Sequence, residues 1–256
     1  MATVADILRF VETLAPRSMK MDWDNVGLNC GHADHPVTKI LVALDPFSHV
    51  CREAKEIGAD LLVTHHALIW KPGFITDLDN QGRNTLFLIE NGIAHINAHT
   101  NLDQASGGVN DVLAAKLGLE NIETINPVNG VGLLRCGDVP EQSLVHFLTA
   151  VKKSLRCDGL RYVDGGKPVC KVAVGGGSCA GEMQDALAAG CDTFVTADIK
   201  YNQFWDAKDL GLNLIDAGHF HTENPVVAVL AEKIAAAFPE IQVEISKTHA
   251  DCMKFY

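Results

Sequence analysis

Repeatedly along the chain a short run of apolar residues rises out of more polar sequence and stops at a side chain with chemistry of its own. Leu61-Leu62-Val63-Thr64 ends at His65-His66, Ala94-His95-Ile96-Asn97-Ala98 at His99, Thr193-Phe194-Val195-Thr196 just before Asp198, and Leu212-Asn213-Leu214-Ile215 at Asp216, while Lys39-Ile40-Leu41-Val42-Ala43-Leu44 is a further such run, ending in Asp45-Pro46. Runs this short and this continuous suit strands buried on both faces. Between them lie stretches with helical spacing, and strand alternating with helix predicts parallel pairing with helices on the faces of a sheet.

At the start, Thr3 to Leu14 repeats apolar residues at three- and four-residue steps and predicts an amphipathic helix, which Pro16 closes. Ser48 is placed to cap a helix through Cys51 to Ile57, and a further helix is expected near Asn84 to Glu90. Turn residues cluster at Asn126-Pro127-Val128-Asn129-Gly130. Beyond them, a strand over Val131 to Cys136, a helix from about Glu141 to Leu155, and strands at Leu160 to Val163 and Lys171 to Val174 read as a second α/β unit. The last helix is expected from Pro225 to Phe238, with Pro at a permitted first-turn position. The fold class expected is α/β: two interacting α/β domains with mostly parallel or mixed sheets. Residues 1–125 plus 222–256 form the first and 126–221 the second, with the site at strand C-terminal ends and at the domain interface.

With 21 basic against 32 acidic residues and a net charge of −11, the chain is poorly suited to a phosphate backbone, so nucleic acid is an unlikely partner. No apolar run reaches the roughly 18 residues of a membrane span. Asp6, Arg9 and Glu12 interrupt the opening segment, which argues against a signal peptide. Eight dispersed cysteines, never in C-x-x-C spacing, read as free and mostly buried thiols of a cytoplasmic protein.

The strand ends carry the chemistry. In open α/β sheets, ligands bind beyond the carboxyl ends of the strands. Thr64-His65-His66, His99-Thr100-Asn101-Leu102-Asp103, Thr196-Ala197-Asp198 and Asp216 through Glu223 can therefore aim imidazoles and carboxylates at one crevice. In an extended chain, neighbouring side chains point to opposite faces. His65 and His66 then share one ion only if the backbone turns between them, and two ions are the simpler reading. Asp103 and Glu223 are the nearest carboxylates able to bridge ions about 3.5–4 Å apart. Imidazole and carboxylate without thiolate suit Zn, Mn, Fe, Co or Ni and leave positions for water.

Trp23-Asp24-Asn25-Val26-Gly27-Leu28, Thr64-His65-His66, His99-Thr100-Asn101-Leu102-Asp103 and Asp216-Ala217-Gly218-His219 with Glu223 together resemble the GTP cyclohydrolase I type 2 family, or NIF-three-like family, in its short form. The resemblance covers nearly the whole chain. It implies a two-domain α/β subunit, a toroidal homohexamer and a dinuclear metal centre facing the interior cavity. It places the ligands on His65, His66, Asp103, His219 and Glu223, with His99 close by. The activity expected is metal-dependent hydrolysis of a small, nucleotide-like substrate, with two divalent ions per subunit and Glu223 or His99 moving the proton. The rival is a metal-binding adaptor or a metal storage and delivery protein without turnover.

Other motifs admit blander readings. Gly175-Gly176-Gly177-Ser178-Cys179-Ala180 formally satisfies G-x-G-x-x-A of dinucleotide sites, with Asp198 near the distance of a ribose-binding acid. Close packing of a strand on a helix explains the glycines more simply. Trp23-Asp24-Asn25-Val26-Gly27 is a substrate-facing loop or a turn with a packed indole, and the residues alone favour the turn. His221 reads as a supporting or surface residue, and His95 as a core or pore-lining one. His32, His35, His49, His146 and His249 fall outside the cluster, while Lys71 and Tyr201 lie near the expected crevice.

Overall fold

The structure, a computed structural model, describes residues 1–71, 73–125 and 132–256. It divides into two compact units, Met1–Ala105 with Val227–Ala250 and Ser106–Val226 with Asp251–Tyr256. The turn cluster at 126–130 lies outside the described residues, as do Val131 and Pro72.

In the first unit, α1 (Val4–Leu14) buries Val4, Ile7 and Val11, the stripe that its spacing predicts. Thr3 caps it reciprocally: the Thr3 hydroxyl accepts from the Asp6 amide, and the Thr3 amide donates to the Asp6 carboxylate at 2.8 Å. The sheet runs in the order β1 (Gly27–Cys30), β4 (Ala94–Asn97), β3 (Leu61–Thr64), β2 (Lys39–Ala43) and β11 (Gln242–Ile245). All neighbours are parallel except β1, which is antiparallel to β4. Leu41, Ala43 and Leu62 pack on one side against Val50, Cys51 and Ala54 of α2 (Ser48–Glu56) and Leu88 of α3 (Asn80–Glu90). Ile40, Val42, Leu61 and Val63, which alternate with them, are equally buried, so these strands are covered on both faces as their apolar runs demand. Ser48 turns out to lie inside α2, with Phe47 at the cap position, because its hydroxyl is used elsewhere, donating to Asn84 at 2.8 Å. The short helix α4 (Thr100–Gln104) follows β4, and the last helix, α10 (Pro225–Ala237), enters this unit at Val227.

The second unit contains α5 (Val109–Lys116), α6 (Leu144–Leu155), α7 (Met183–Ala188), α8 (Tyr201–Leu210) and α9 (His219–Glu223) around a mixed sheet. Its order is β5 (Glu120–Thr124), β6 (Arg135–Gln142), β8 (Val169–Val174), β9 (Thr193–Thr196), β10 (Asn213–Asp216), β7 (Arg161–Val163), with β8, β9 and β10 parallel and the other pairs antiparallel. Period-two alternation sorts the central strands between two cores. Val172, Val174, Val195 and Ile215 meet Leu113, Phe147 and Val151, whereas Ala173, Phe194 and Leu214 meet Met183, Ala186 and Ala207. α6 starts later than the sequence suggests. Glu141 and Gln142 still belong to β6, and Ser143 supplies the cap. The strand expected from Val131 likewise begins only at Arg135.

All eight cysteines are free thiols, and only Cys252 is exposed. Burial pushes Cys30 up to about 11 and Cys51 and Cys191 up to about 12, so these thiols stay protonated and unreactive. Among the described residues no helix is long and apolar enough to cross a membrane.

Candidate metal centre

In the first unit the parallel strands end side by side, and each end delivers a polar side chain. Asp45 follows β2, His65 and His66 follow β3, and His99 follows β4 as the cap residue of α4, which carries Asp103. The backbone bends at 65–66 instead of continuing extended. The rule that neighbouring side chains point apart therefore lapses here, and the two imidazole centres sit 4.9 Å apart. His65, His66 and His99 each offer a ring nitrogen, and the three lie within 4.8 Å of one another. Asp103 Oδ1 is 3.5 Å from His65 Nε2. All four side chains are buried.

Each imidazole is oriented by a group behind it. His65 Nδ1 lies 2.9 Å from the Ala98 carbonyl, His66 Nδ1 2.6 Å from Asp45 Oδ1, and His99 Nδ1 2.9 Å from Asp24 Oδ1. A carbonyl or carboxylate can only accept, so Nδ1 carries the proton in each ring and the lone pair sits on Nε2. Asp24 also accepts from the amide and hydroxyl of Thr100, at 3.0 and 2.5 Å, which ties the loop before β1 to the turn that bears His99. Burial pushes the Asp24 and Asp45 carboxyls up. Hydrogen bonds outweigh it, from His99 and Thr100 in one case and from His249 and His66 in the other, and hold both well below the usual carboxylate range.

The loop of Trp23 is not a turn around a packed indole. Trp23 is 66% exposed and Asp24 is the buried anchor. Trp23 and the half-exposed Trp70 both stand edge-on to His99, with ring centres at 5.9 and 5.0 Å.

The second unit repeats the same device. His219 opens α9 just beyond β10, and Glu223 lies one turn later, its carboxylate 3.0 Å from His219 Nε2. Asp198, following β9, receives His219 Nδ1 at 2.7 Å. Asp198 adopts a φ of 52°, a left-handed conformation that costs energy for a residue with a Cβ. Two of the three consecutive glycines, Gly176 and Gly177, make room for this pair. A Cβ on Gly177 would lie 2.1 Å from Glu223 Oε1 and 3.0 Å from His219 Nε2, and one on Gly176 would lie 3.1 Å from Glu223 Cγ. Gly176 and Gly177 thus leave the space that Glu223 and His219 of α9 occupy, a different contact from the packing of a strand on the helix it leads into that the sequence suggested.

Several candidates have other employment. Asp216 accepts from Arg161 and from the amides of Ile199 and Gly218. His221 contacts the Leu155 carbonyl and Asp251. His95 is fully buried and donates from Nε2 to Thr64 Oγ1 at 2.7 Å, while that hydroxyl donates to the His66 carbonyl and so fixes the bend. Missed by the sequence reading were the orienting role of Asp24 and Asp45 and the asparagine lattice around β1. There Asn97 accepts from Gly27 and Asn29 and donates to Asn25, while Asn29 accepts from Leu68 and Ile69. An Asp at the end of an apolar run, as at Asp45, was the available signal.

The donor sets fit a divalent metal. Four histidines, at 65, 66, 99 and 219, have Nδ1 held by an acceptor and Nε2 presented as donor, the pattern that metal-binding histidines show. Buried carboxylates at Asp103 and Glu223 join the same set of candidate ligands: in the first unit His65, His66 and His99 form a group able to hold an ion, and the second unit supplies the pair His219 and Glu223.

The sequence profile of Duf34/NIF3 (NGG1p interacting factor 3) matches residues 2–252. A GTP cyclohydrolase 1 type 2 homolog of Clostridium perfringens is 37% identical over 257 residues, 98% of each chain. Among solved structures, a Bacillus cereus protein related to NIF3 is similar with a TM-score of 0.94 at 25% identity, covering 100% of this chain and 99% of that one. Reduced HcgD from Methanocaldococcus jannaschii has a TM-score of 0.82 at 30% identity, with 96% and 98% covered.

Proposed function

This chain belongs to the Duf34/NIF3 family, and from that premise we propose that it is a cytoplasmic metal-dependent hydrolase of a small, nucleotide-like substrate. His65, His66, Asp103, His219 and Glu223 would hold two divalent ions, chosen among Zn, Mn, Fe, Co and Ni. The observation that carries the proposal is the shared orientation of the histidines, each with its Nδ1 proton committed to an oxygen behind it. Two ions are favoured over one because these donors outnumber the four that a tetrahedral ion takes. Ions bound there would supply Lewis acidity and lower the pKa of water.

His99 is the proton carrier we favour. Asp24 accepts its Nδ1 proton at 2.9 Å and is itself pinned by Thr100, so Nε2 can take up a proton while the carboxylate stabilises the resulting imidazolium. The exposed indoles of Trp23 and Trp70 near His99 offer aromatic surface that suits a planar base, which agrees with the name of the Clostridium perfringens relative. The sixfold ring implied by the family resemblance is part of the same proposal.

The test is turnover of metal-loaded protein on GTP, cyclic amides and phosphoesters, before and after chelation. The proposal expects turnover that chelation abolishes and metal restores, and a Trp70→Ala variant with raised KM and little change in kcat. Protein that binds ions yet turns over none of these substrates contradicts the hydrolase and favours a metal storage or adaptor role.

A further inference from the structure

Behind His66 the hydrogen bonding does not stop at Asp45. Asp45 is nearly enclosed, and its second oxygen, Oδ2, lies 2.8 Å from Nε2 of His249. His249 follows β11 in the turn 246–249, remote in sequence from every strand end that bears a candidate ligand. Its side chain is only 5% exposed. The other ring nitrogen, Nδ1, faces His49 Nε2 at 3.3 Å. A carboxylate between two imidazoles accepts from both, which fixes the proton of His249 on Nε2 and that of His66 on Nδ1. His249 Nδ1 is then the acceptor for His49, so the chain His49, His249, Asp45, His66 is satisfied in a single set of tautomers.

The turn that carries His249 is fastened independently. Glu53 on α2 accepts from the Ser246 and Thr248 hydroxyls at 2.5 and 2.6 Å and from the Lys247 amide at 2.7 Å. The Ser246 hydroxyl accepts in turn from the His249 amide at 3.1 Å. Phe47 covers the outer side, edge-on to His249 with ring centres 6.0 Å apart. Such a clamp is more than the anchoring of a surface turn requires, and its effect is to hold one imidazole against one carboxylate oxygen.

We propose that His249 is a positioning residue for the metal ligand His66, acting through Asp45, with Glu53 holding it in place. The inference rests on the metal-site reading above. An Asp45 carboxylate bonded at one oxygen alone can rotate about its side-chain torsions; bonded at both, it presents Oδ1 to His66 in one orientation, and the Nε2 lone pair of His66 is aimed accordingly. Partners behind a ligating histidine typically change metal affinity by about 10–100-fold when removed. His249 stands one step further back, and the expected effect is at the lower end of that range.

Two measurements on the full-length chain test this. Long-range 1H–15N correlation on metal-free wild-type protein reads the tautomers directly, needs no variant, and decides the matter even if a substituted protein fails to fold. The expected result is His249 protonated at Nε2 and His66 at Nδ1; His249 protonated at Nδ1 alone overturns the proposal, since it could not donate to Asp45. Cobalt titration followed by ligand-field absorption reads the consequence. His249→Ala should bind one ion about tenfold more weakly, and His249→Gln, which keeps a donor N–H, should recover most of the loss. Wild-type affinity in His249→Ala, with cobalt bound normally by the wild type, overturns the positioning role and leaves the metal site standing. Wild-type protein that takes up no cobalt overturns the metal site itself, and this proposal with it.

Discussion

Gly177 is constrained twice, by its backbone conformation and by its neighbours. Its φ of 63° and the 2.1 Å approach of a hypothetical Cβ to Glu223 act in the same direction. Gly177→Ala should displace the Glu223 carboxylate, destabilise the fold by about 1–3 kcal/mol and weaken metal uptake, which thermal denaturation and metal titration of one sample would both register. A second residue makes the fold sensitive to pH. Burial lowers His95 from 6.5 to about 3, so the unfolded chain binds a proton there that the folded chain refuses. The stability is complete above the unfolded value of 6.5 and declines as pH falls toward 3. By pH 5 the loss from this group is about 2 kcal/mol. Urea denaturation at pH 7, 6 and 5 should show that slope, and His95→Gln, which can still donate to Thr64, should flatten it.

At the scale of elements, what was legible depended on burial. β2, β3, β9 and β10 are covered on both faces, so their apolar runs announce them, and their ends announce the residues that follow. β5 and β11 are edge strands with exposed, mixed sequences, Glu120–Thr124 and Gln242–Ile245, and no run marks them. α4 and α9, which carry Asp103 and Glu223, are five residues each and too short to show a helical period, so their ligands were found by residue type and resemblance and not by element. The bend at 65–66 was invisible because a hydroxyl of Thr64 and the remote His95 hold it. β1 depends on side chains more than on pattern. Asn97→Ala would strand the Gly27 amide and the Asn29 side chain and free Asn25, at about 2–3 kcal/mol. Chemical denaturation should show that loss, and the release of the neighbouring Asp24 loop should lower activity as well.

For the whole molecule, the two units each combine a sheet with parallel central strands and a cluster of imidazole and carboxylate groups at strand ends. The proposed sixfold ring is checked by light scattering, which is expected to give six times the mass of one chain; the mass of a single chain would overturn it. Metal binding is read by equilibrium dialysis of metal-free protein against cobalt or zinc, followed by elemental analysis. Two ions per wild-type chain are expected, with at least one lost in a variant carrying both His65→Ala and His66→Ala and retaining its fold. Wild-type protein that leaves dialysis with no more metal than the buffer, or a double variant that keeps both ions, would contradict this expectation.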